Sequence, residues 1–223
     1  MKKIDLKKDL KHLYGAAAKT IAIVDVPAMN FLMIDGQGDP NTSDDYQGAV
    51  EALYAVSYAA KFMIKKGSAA IDYGVMPLEG LWWTDDPAQF SPDNKGIWKW
   101  TAMIMQPEWV TATLWEEAKA QTAKKKNPRG LPKMRLESFR EGKAAQILYV
   151  GPYTEEAPTI SRLHKFIEEQ GLKRCGRHHE IYLNDPRRTD PAKLRTILRQ
   201  PVAAPGTVAA STHDSHGQPS RST

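Results

Sequence analysis

Ile21-Ala22-Ile23-Val24-Asp25-Val26-Pro27 and Asn30-Phe31-Leu32-Met33-Ile34, closed by Asp35-Gly36-Gln37-Gly38-Asp39-Pro40-Asn41, run into a helical pattern from about Tyr46 to Lys66 that stops at Gly67. The apolar and β-branched stretch reads as one strand, or as a strand broken at Pro27. The Gly- and Asp-rich segment is a tight turn, too short and too acidic to cradle phosphate. Ser43 or Asp44 is placed to cap the helix, in which Val50, Leu53, Tyr54, Ser57, Tyr58 and Phe62 recur on one side. Upstream, residues 5–14 have Leu6, Leu10 and Leu13 at helical spacing, and Gly15 ends that helix. Downstream, strands are expected over Ile71–Leu78, Leu81–Thr84 and Trp98–Met105, with Asp85 to Gly96 as a loop. A helix follows from Trp109 to about Ala123, and Asn127-Pro128-Arg129-Gly130-Leu131-Pro132 is a linker that no helix continues through.

The second half repeats this order: strands at Met134–Arg140 and Ala144–Val150, a glycine-containing loop, a helix over about Glu155–Gln170, Gly171, and a strand at Glu180–Leu183. The fold class is therefore α+β. The expected architecture is two duplicated βαββ units, about 20–127 and 133–202, forming a concave antiparallel sheet with helices on one side and a ligand cleft between the halves. Residues 1–19 carry the N-terminal helix. Pro191 to Val202 reads as a helical turn and an edge strand stopped by proline. Residues 203–223, rich in Ala, Ser, Pro and His without periodicity, read as a disordered tail.

The 223 residues are 41% hydrophobic and 26% charged, and the formal charge of +5 leaves 31 basic residues largely offset by 26 acidic ones. This balance does not argue for nucleic acid. No apolar run approaches the roughly 20 residues of a membrane helix, and the N-terminus lacks the features of a secretory signal, so a cytoplasmic location is expected. The basic run at Lys124-Lys125-Lys126 complements a helix C-terminus. Cys175 cannot form an internal disulfide. Its neighbours Lys173, Arg174 and Arg177 would lower its pKa if it were exposed, but it reads as a plain thiol without a base partner. Nucleotide-binding glycine loops, CxxC pairs, GxSxG and HExxH are absent, and no cofactor is expected.

His178-His179-Glu180 offers ligand types, but strand alternation leaves at most His178 and Glu180 on one side, so no metal is expected. Glu180 lies in the interior strand Glu-Ile-Tyr-Leu with Tyr182 on its own face. A carboxylate there must pair, take up a proton or meet a ligand. All six tryptophans fall between Trp82 and Trp115. Alternation puts Glu79, Leu81 and Trp83 on one face and Trp98 and Trp100 on a face of the next strand. These faces are expected to wall a cleft for a planar hydrophobic or cationic small molecule, with Glu79 and Glu180 as charged anchors. Tyr73 joins Trp83, Trp100, Glu79 and Trp98 in the ligand-binding set, and Trp82, Trp109 and Trp115 are assigned to the core.

Asp25 to Gly36, Gly38-Asp39-Pro40-Asn41, Met76-Pro77-Leu78-Glu79-Gly80-Leu81-Trp82-Trp83, Trp98-Lys99-Trp100-Thr101, Val150-Gly151-Pro152-Tyr153 and His178 to Pro186 together resemble the GyrI-like small-molecule-binding family, over about residues 5 to 202. The chain is similar to its stand-alone members, with no helix-turn-helix segment in front. The resemblance implies the duplicated βαββ fold with ligand held between the halves, Glu180 as the pocket carboxylate, and Trp83 and Trp100 as pocket walls. Tyr149 stands where the family pattern often has histidine. The resemblance also implies binding of hydrophobic drugs and, for some members, hydrolysis of cyclopropane-bearing DNA-alkylating toxins. On that reading Glu180, its pKa raised by an apolar pocket, is the general base, and Tyr153 or Tyr182 donates to the oxygen that gains charge. A non-catalytic binding, sequestration or sensing protein is the alternative, and a gyrase-interacting inhibitor a third.

Overall fold

The computed structural model describes residues 1–206; of the expected tail, 207–223 lies outside them. In chain order the elements are β1 (Lys2–Ile4), α1 (Leu6–Asp9), α2 (Lys11–Tyr14), β2 (Ala22–Gln37), α3 (Asp44–Lys66), β3 (Ile71–Tyr73), β4 (Leu78–Trp83), β5 (Lys99–Gln106), α4 (Ala112–Lys125), β6 (Arg135–Val150), α5 (Ala157–Glu169), β7 (Lys173–Arg174), β8 (His178–Tyr182) and β9 (Arg195–Ala203). The class is α+β, and, leaving aside the short β3 and β7, a strand, helix, strand, strand order occurs in β2-α3-β4-β5 and again in β6-α5-β8-β9.

Two 16-residue strands frame the sheet. β2 continues through Pro27, and β6 joins the two strands expected at Met134–Arg140 and Ala144–Val150. Gly142, at φ +75°, carries the chain through a backbone conformation that side chains disfavour. The antiparallel order β6-β2-β5-β4-β8-β9 closes because β9 also pairs with β6. The expected open, concave sheet is thus a six-stranded ring, and β9 is not an edge strand. Pro201 is tolerated in β9 because β8 pairs with it only up to Arg199 and β7 only from Val202, so proline's missing N–H falls between two partners. Ile71–Leu78 is not one strand: β3 pairs in parallel with β1, apart from the ring.

Ser43 Oγ accepts from the Tyr46 amide at 3.2 Å to start α3, with Asp44 and Asp45 in its first turn and Lys65 and Lys66 in its last. Both ends complement the helix dipole. Thr111 caps α4 in the same way, so the helix starts at Ala112, three residues later than the expected start at Trp109. α3 covers β2 and β5, and α5 packs on β6 and β9 over Leu163, Ile167, Ile147 and Leu198. The expected N-terminal helix is two short turns broken at Leu10, and α2 buries Leu13 and Tyr14.

Candidate functional site

Register decides which side chains meet. Gly80 pairs with Ala102 on β5 and with Glu180 on β8; Trp82 pairs with Trp100 and His178; Leu78 pairs with Tyr182. Cross-strand partners share a face, so Leu78, Gly80, Trp82, Trp100, Glu180 and Tyr182 look outward beneath α3. Glu79, Leu81, Trp83 and His179 look to the ring's interior. The outward face, α3 and the turn before α5 enclose a cavity of about 430 Å³.

Glu180, 7% exposed, stands in the cavity wall. Its Oε2 accepts from the Tyr182 hydroxyl at 2.7 Å, its Oε1 lies 3.3 Å from His178 Nε2, and Glu156 lines the same cavity. Tyr182 Oη accepts in turn from Trp82 Nε1 at 3.2 Å. That indole lies back over Gly80, where an added Cβ would come within 2.7 Å of Nε1. Tyr46 packs on Trp82 at 5.6 Å between centroids, Trp82 on Trp98 at 5.7 Å, and Phe90 stacks on Trp98 at 4.6 Å. Tyr153 meets Tyr182 edge-on at 5.6 Å, and its hydroxyl makes no hydrogen bond among the described residues. Lys95, Asn184 and Arg187 are polar members of the lining, Arg187 being paired with Asp185 at 2.9 Å.

The two carboxyls are driven apart. Burial alone would raise Glu180, but His178, Tyr182 and Glu156 outweigh it and hold the carboxyl below its usual range. This corrects the expectation that an apolar pocket raises Glu180: its neighbours supply the hydrogen bonds that an apolar wall lacks. Glu156 is pushed up to about 9, first by burial and then by the charge on Glu180. Burial and Glu180 also push Tyr153 up to about 12, so its hydroxyl stays a donor at neutral pH.

Glu180, Tyr153, Tyr182 and Trp98 therefore come together, and Trp82, assigned to the core from sequence, joins them. Four expected wall or anchor residues lie elsewhere. Trp83 faces the opposite way, with the Arg177 guanidinium 3.6 Å from its ring centroid in a shallow depression beside Asp35 and Lys99. Trp100 shares the cavity's face but is 1% exposed, covered edge-on by Tyr46 at 5.0 Å. Tyr73 packs against Trp109 at 5.7 Å. Glu79, 0% exposed, belongs to an interior network.

In that network Tyr14 donates to Glu79 at 2.8 Å, and His179 bridges Glu79 and Glu141 through its two nitrogens, each at 2.9 Å. Arg199 donates to Glu141 at 3.1 Å, to Gln146 and to the Leu13 carbonyl. With a carboxylate on each nitrogen, both ring nitrogens of His179 donate and the ring is a cation. Burial opposes that charge, but Glu141 and Glu79 overcome it and raise His179 to about 9. Burial would likewise raise Glu141, yet His179 and Arg199 bring it down to about 2. The network ties the N-terminal turn to the ring and lies on the opposite strand face from the cavity.

Among the described residues no cluster of three or more His, Cys, Asp and Glu is arranged to hold a metal ion, and no helix is long and apolar enough to cross a membrane. Cys175 is half-buried, and burial followed by Glu141 raises its thiol pKa, contrary to the lowering its basic neighbours suggest. Tyr149 donates to the Pro152 carbonyl at 2.9 Å and fixes the turn that carries Tyr153. Sequence reasoning missed Glu156 and the cavity roles of Tyr46 and Tyr54. The 46, 50, 54 spacing on α3 carried a signal for the two tyrosines, whereas Glu156 had none beyond its place after the Gly151-Pro152-Tyr153 turn.

No curated protein sequence matches the chain. Among solved structures, an uncharacterized conserved protein from Listeria innocua is 40% identical, with a TM-score of 0.83 over 90% of this chain and 100% of its own. A protein described as a hydrolase encoded by lin2189 from Listeria innocua is likewise 40% identical, with a TM-score of 0.81 over 91% of this chain and 100% of its own. The EcmrR C-terminal domain, 11% identical with a TM-score of 0.51 over 83% of this chain and 98% of its own, shares the fold alone. The model of the GyrI-like small molecule binding domain matches residues 19–203, which include β2 to β9 and every side chain of the cavity, and the chain belongs to that family.

Proposed function

We propose that the cavity takes a planar hydrophobic small molecule, a drug or toxin, and hydrolyses it by adding water to a cyclopropane-type DNA-alkylating electrophile. The observation that carries this reading is an ionised carboxylate, Glu180, set in an aromatic-walled cavity beside a tyrosine hydroxyl, that of Tyr153, which makes no hydrogen bond among the described residues. The volume suits a drug-sized ligand. The two strand, helix, strand, strand runs would act as halves holding the ligand between α3 and the start of α5. In the reaction Glu180 takes a proton from water, and the water oxygen bonds to a ring carbon. The strained C–C bond breaks, and its electron pair moves to a conjugated carbonyl oxygen, towards which Tyr153 donates. Tyr182 is committed to Glu180 and orients it, which narrows the donor role to Tyr153. The description of Listeria innocua relatives as hydrolases supports the reaction class, and a cytoplasmic detoxifying role fits such chemistry.

Glu180→Gln tests the assignment. The variant should still bind a planar probe, read by quenching of Trp82 and Trp98 fluorescence, while hydrolysis falls about a hundredfold or more. Turnover at the parent's rate would show that Glu180 is not the base. Binding without turnover is the second reading, favoured by the Tyr182 hydroxyl that already occupies Glu180. It would appear as protection of a target in strict proportion to protein.

A further inference from the structure

Glu156 and Glu180 reach one cavity from different elements, the turn before α5 and the middle of β8, and the charge on Glu180 acts on the buried Glu156 carboxyl. Two ionised carboxyls in one buried cavity repel, so one of the two is better neutral. Tyr182 donates to Glu180, and His178 Nε2 lies 3.3 Å from its Oε1. Glu156 Oε2 is buried without a hydrogen-bond partner among the described residues, and the side chain lines the cavity; a buried carboxyl with no donor to stabilise its charge keeps its proton. The proton therefore rests on Glu156.

We propose that Glu156 is the catalytic acid of this site, giving its proton to the oxygen that gains charge as the ring opens. The proposal rests on the hydrolase reading above. Water gives one proton to Glu180 and its oxygen to the ring carbon; the C–C electron pair reaches the carbonyl oxygen; that oxygen takes the Glu156 proton and becomes a hydroxyl. Glu180 is left neutral and Glu156 ionised. One proton transfer from Glu180 to Glu156 restores the starting state, so the cycle consumes a single water and needs no other reactant. Carboxyl pairs whose surroundings push their proton affinities apart divide the roles of acid and base in this way.

Several groups set the pH response. β8 contributes Glu180, Tyr182 and His178, α3 contributes Tyr46 and Tyr54, and Tyr153 stands in the same turn as Glu156. Lys95 approaches from the segment before β5, and Asp185 and Arg187 from the one after β8. Of the charges acting on Glu156, Glu180 raises its pKa and Lys95 lowers it. Activity should fall as pH rises through about 9, when Glu156 loses its proton.

Two measurements test the assignment. In the infrared spectrum of the full chain without ligand at neutral pH, the stretch of a neutral carboxylic acid should be present, absent in Glu156→Gln and retained in Glu156→Asp. A parent spectrum without that band, or a Glu156→Gln spectrum that keeps it, overturns the proposal whatever the protein hydrolyses. With a spirocyclopropyl cyclohexadienone as substrate, Glu156→Gln should lose about a hundredfold in rate together with the alkaline fall, and Glu156→Asp should recover both. Its affinity for the ring-opened phenol should stay within about threefold of the parent's, less than one neutral hydrogen bond is worth. A Glu156→Gln variant with the parent's rate and alkaline limb refutes the acid role. A parent that binds the phenol but never opens the ring sinks the hydrolase reading and the acid role with it, while the infrared band still decides where the proton sits.

Discussion

Replacing Glu141 by glutamine keeps the shape of a side chain only 2% exposed and removes the charge between His179 and Arg199. In the parent, His179 is raised from 6.5 to about 9. At about 1.4 kcal/mol per decade of proton affinity, its charged form contributes about 3 kcal/mol to folding. Glu141, lowered from 4.5 to about 2, reports the same interaction from its other end, so the two are not added. For the raised histidine the contribution is complete below pH 6.5 and is lost as pH rises towards about 9. For the lowered carboxyl it is complete above pH 4.5 and is lost as pH falls towards about 2. Both act in full between pH 4.5 and 6.5.

Glu141→Gln leaves two buried cations with Glu79 as their remaining carboxylate, a change that costs about 3 to 5 kcal/mol in comparable interiors. At about 2–4 °C per kcal/mol for a chain of this length, Tm measured by circular dichroism at pH 6 should fall by at least about 6 °C. The parent should also lose stability between pH 6.5 and 9 relative to the variant, whose histidine no longer has its principal partner. Comparing the two slopes removes the contribution of surface lysines and tyrosines common to both. A variant within about 2 °C of the parent at pH 6, less than 1 kcal/mol, would refute the reasoning, as would parallel pH slopes.

Trp82→Ala should weaken a planar probe about tenfold through lost stacking and contact area, whereas Trp83→Ala, on the opposite strand face, should change affinity less than about twofold; fluorescence titration separates them, and the reverse order would mean that the strand faces are misassigned. Gly80→Ala sets a methyl group 2.7 Å from Trp82 Nε1, so the indole must swing off Tyr182. A stability loss of about 1–3 kcal/mol in urea with an affinity like that of Trp82→Ala is expected, and parent-like values for both would show that the indole does not depend on that space.

The elements were largely legible from local sequence. β2, the long capped α3 with its stop at Gly67, and an acidic residue on an interior strand next to Tyr182 follow from patterns a few residues long, because backbone propensity, capping and turn chemistry act over that range. The motifs from Asp25 to Pro186 pointed to the family for the same reason.

Which face of β4 meets the cavity was not legible. β4 is covered on both sides, so Glu79-Leu81-Trp83 and Leu78-Gly80-Trp82 are equally acceptable to hydropathy, and a shift of one residue exchanges them. Only pairing with β5 and β8 chose the second set. Closure of the ring is likewise a contact between β6 and β9, remote in the chain and invisible to periodicity. The sequence by itself determined the strands, the helices and the presence of Glu180; the tertiary structure decided that Trp82 and not Trp83 walls the cavity, that Glu79 belongs to His179, and that Glu156 faces Glu180. Those outcomes depend on strand register and on burial shared between distant elements, quantities that no single segment carries.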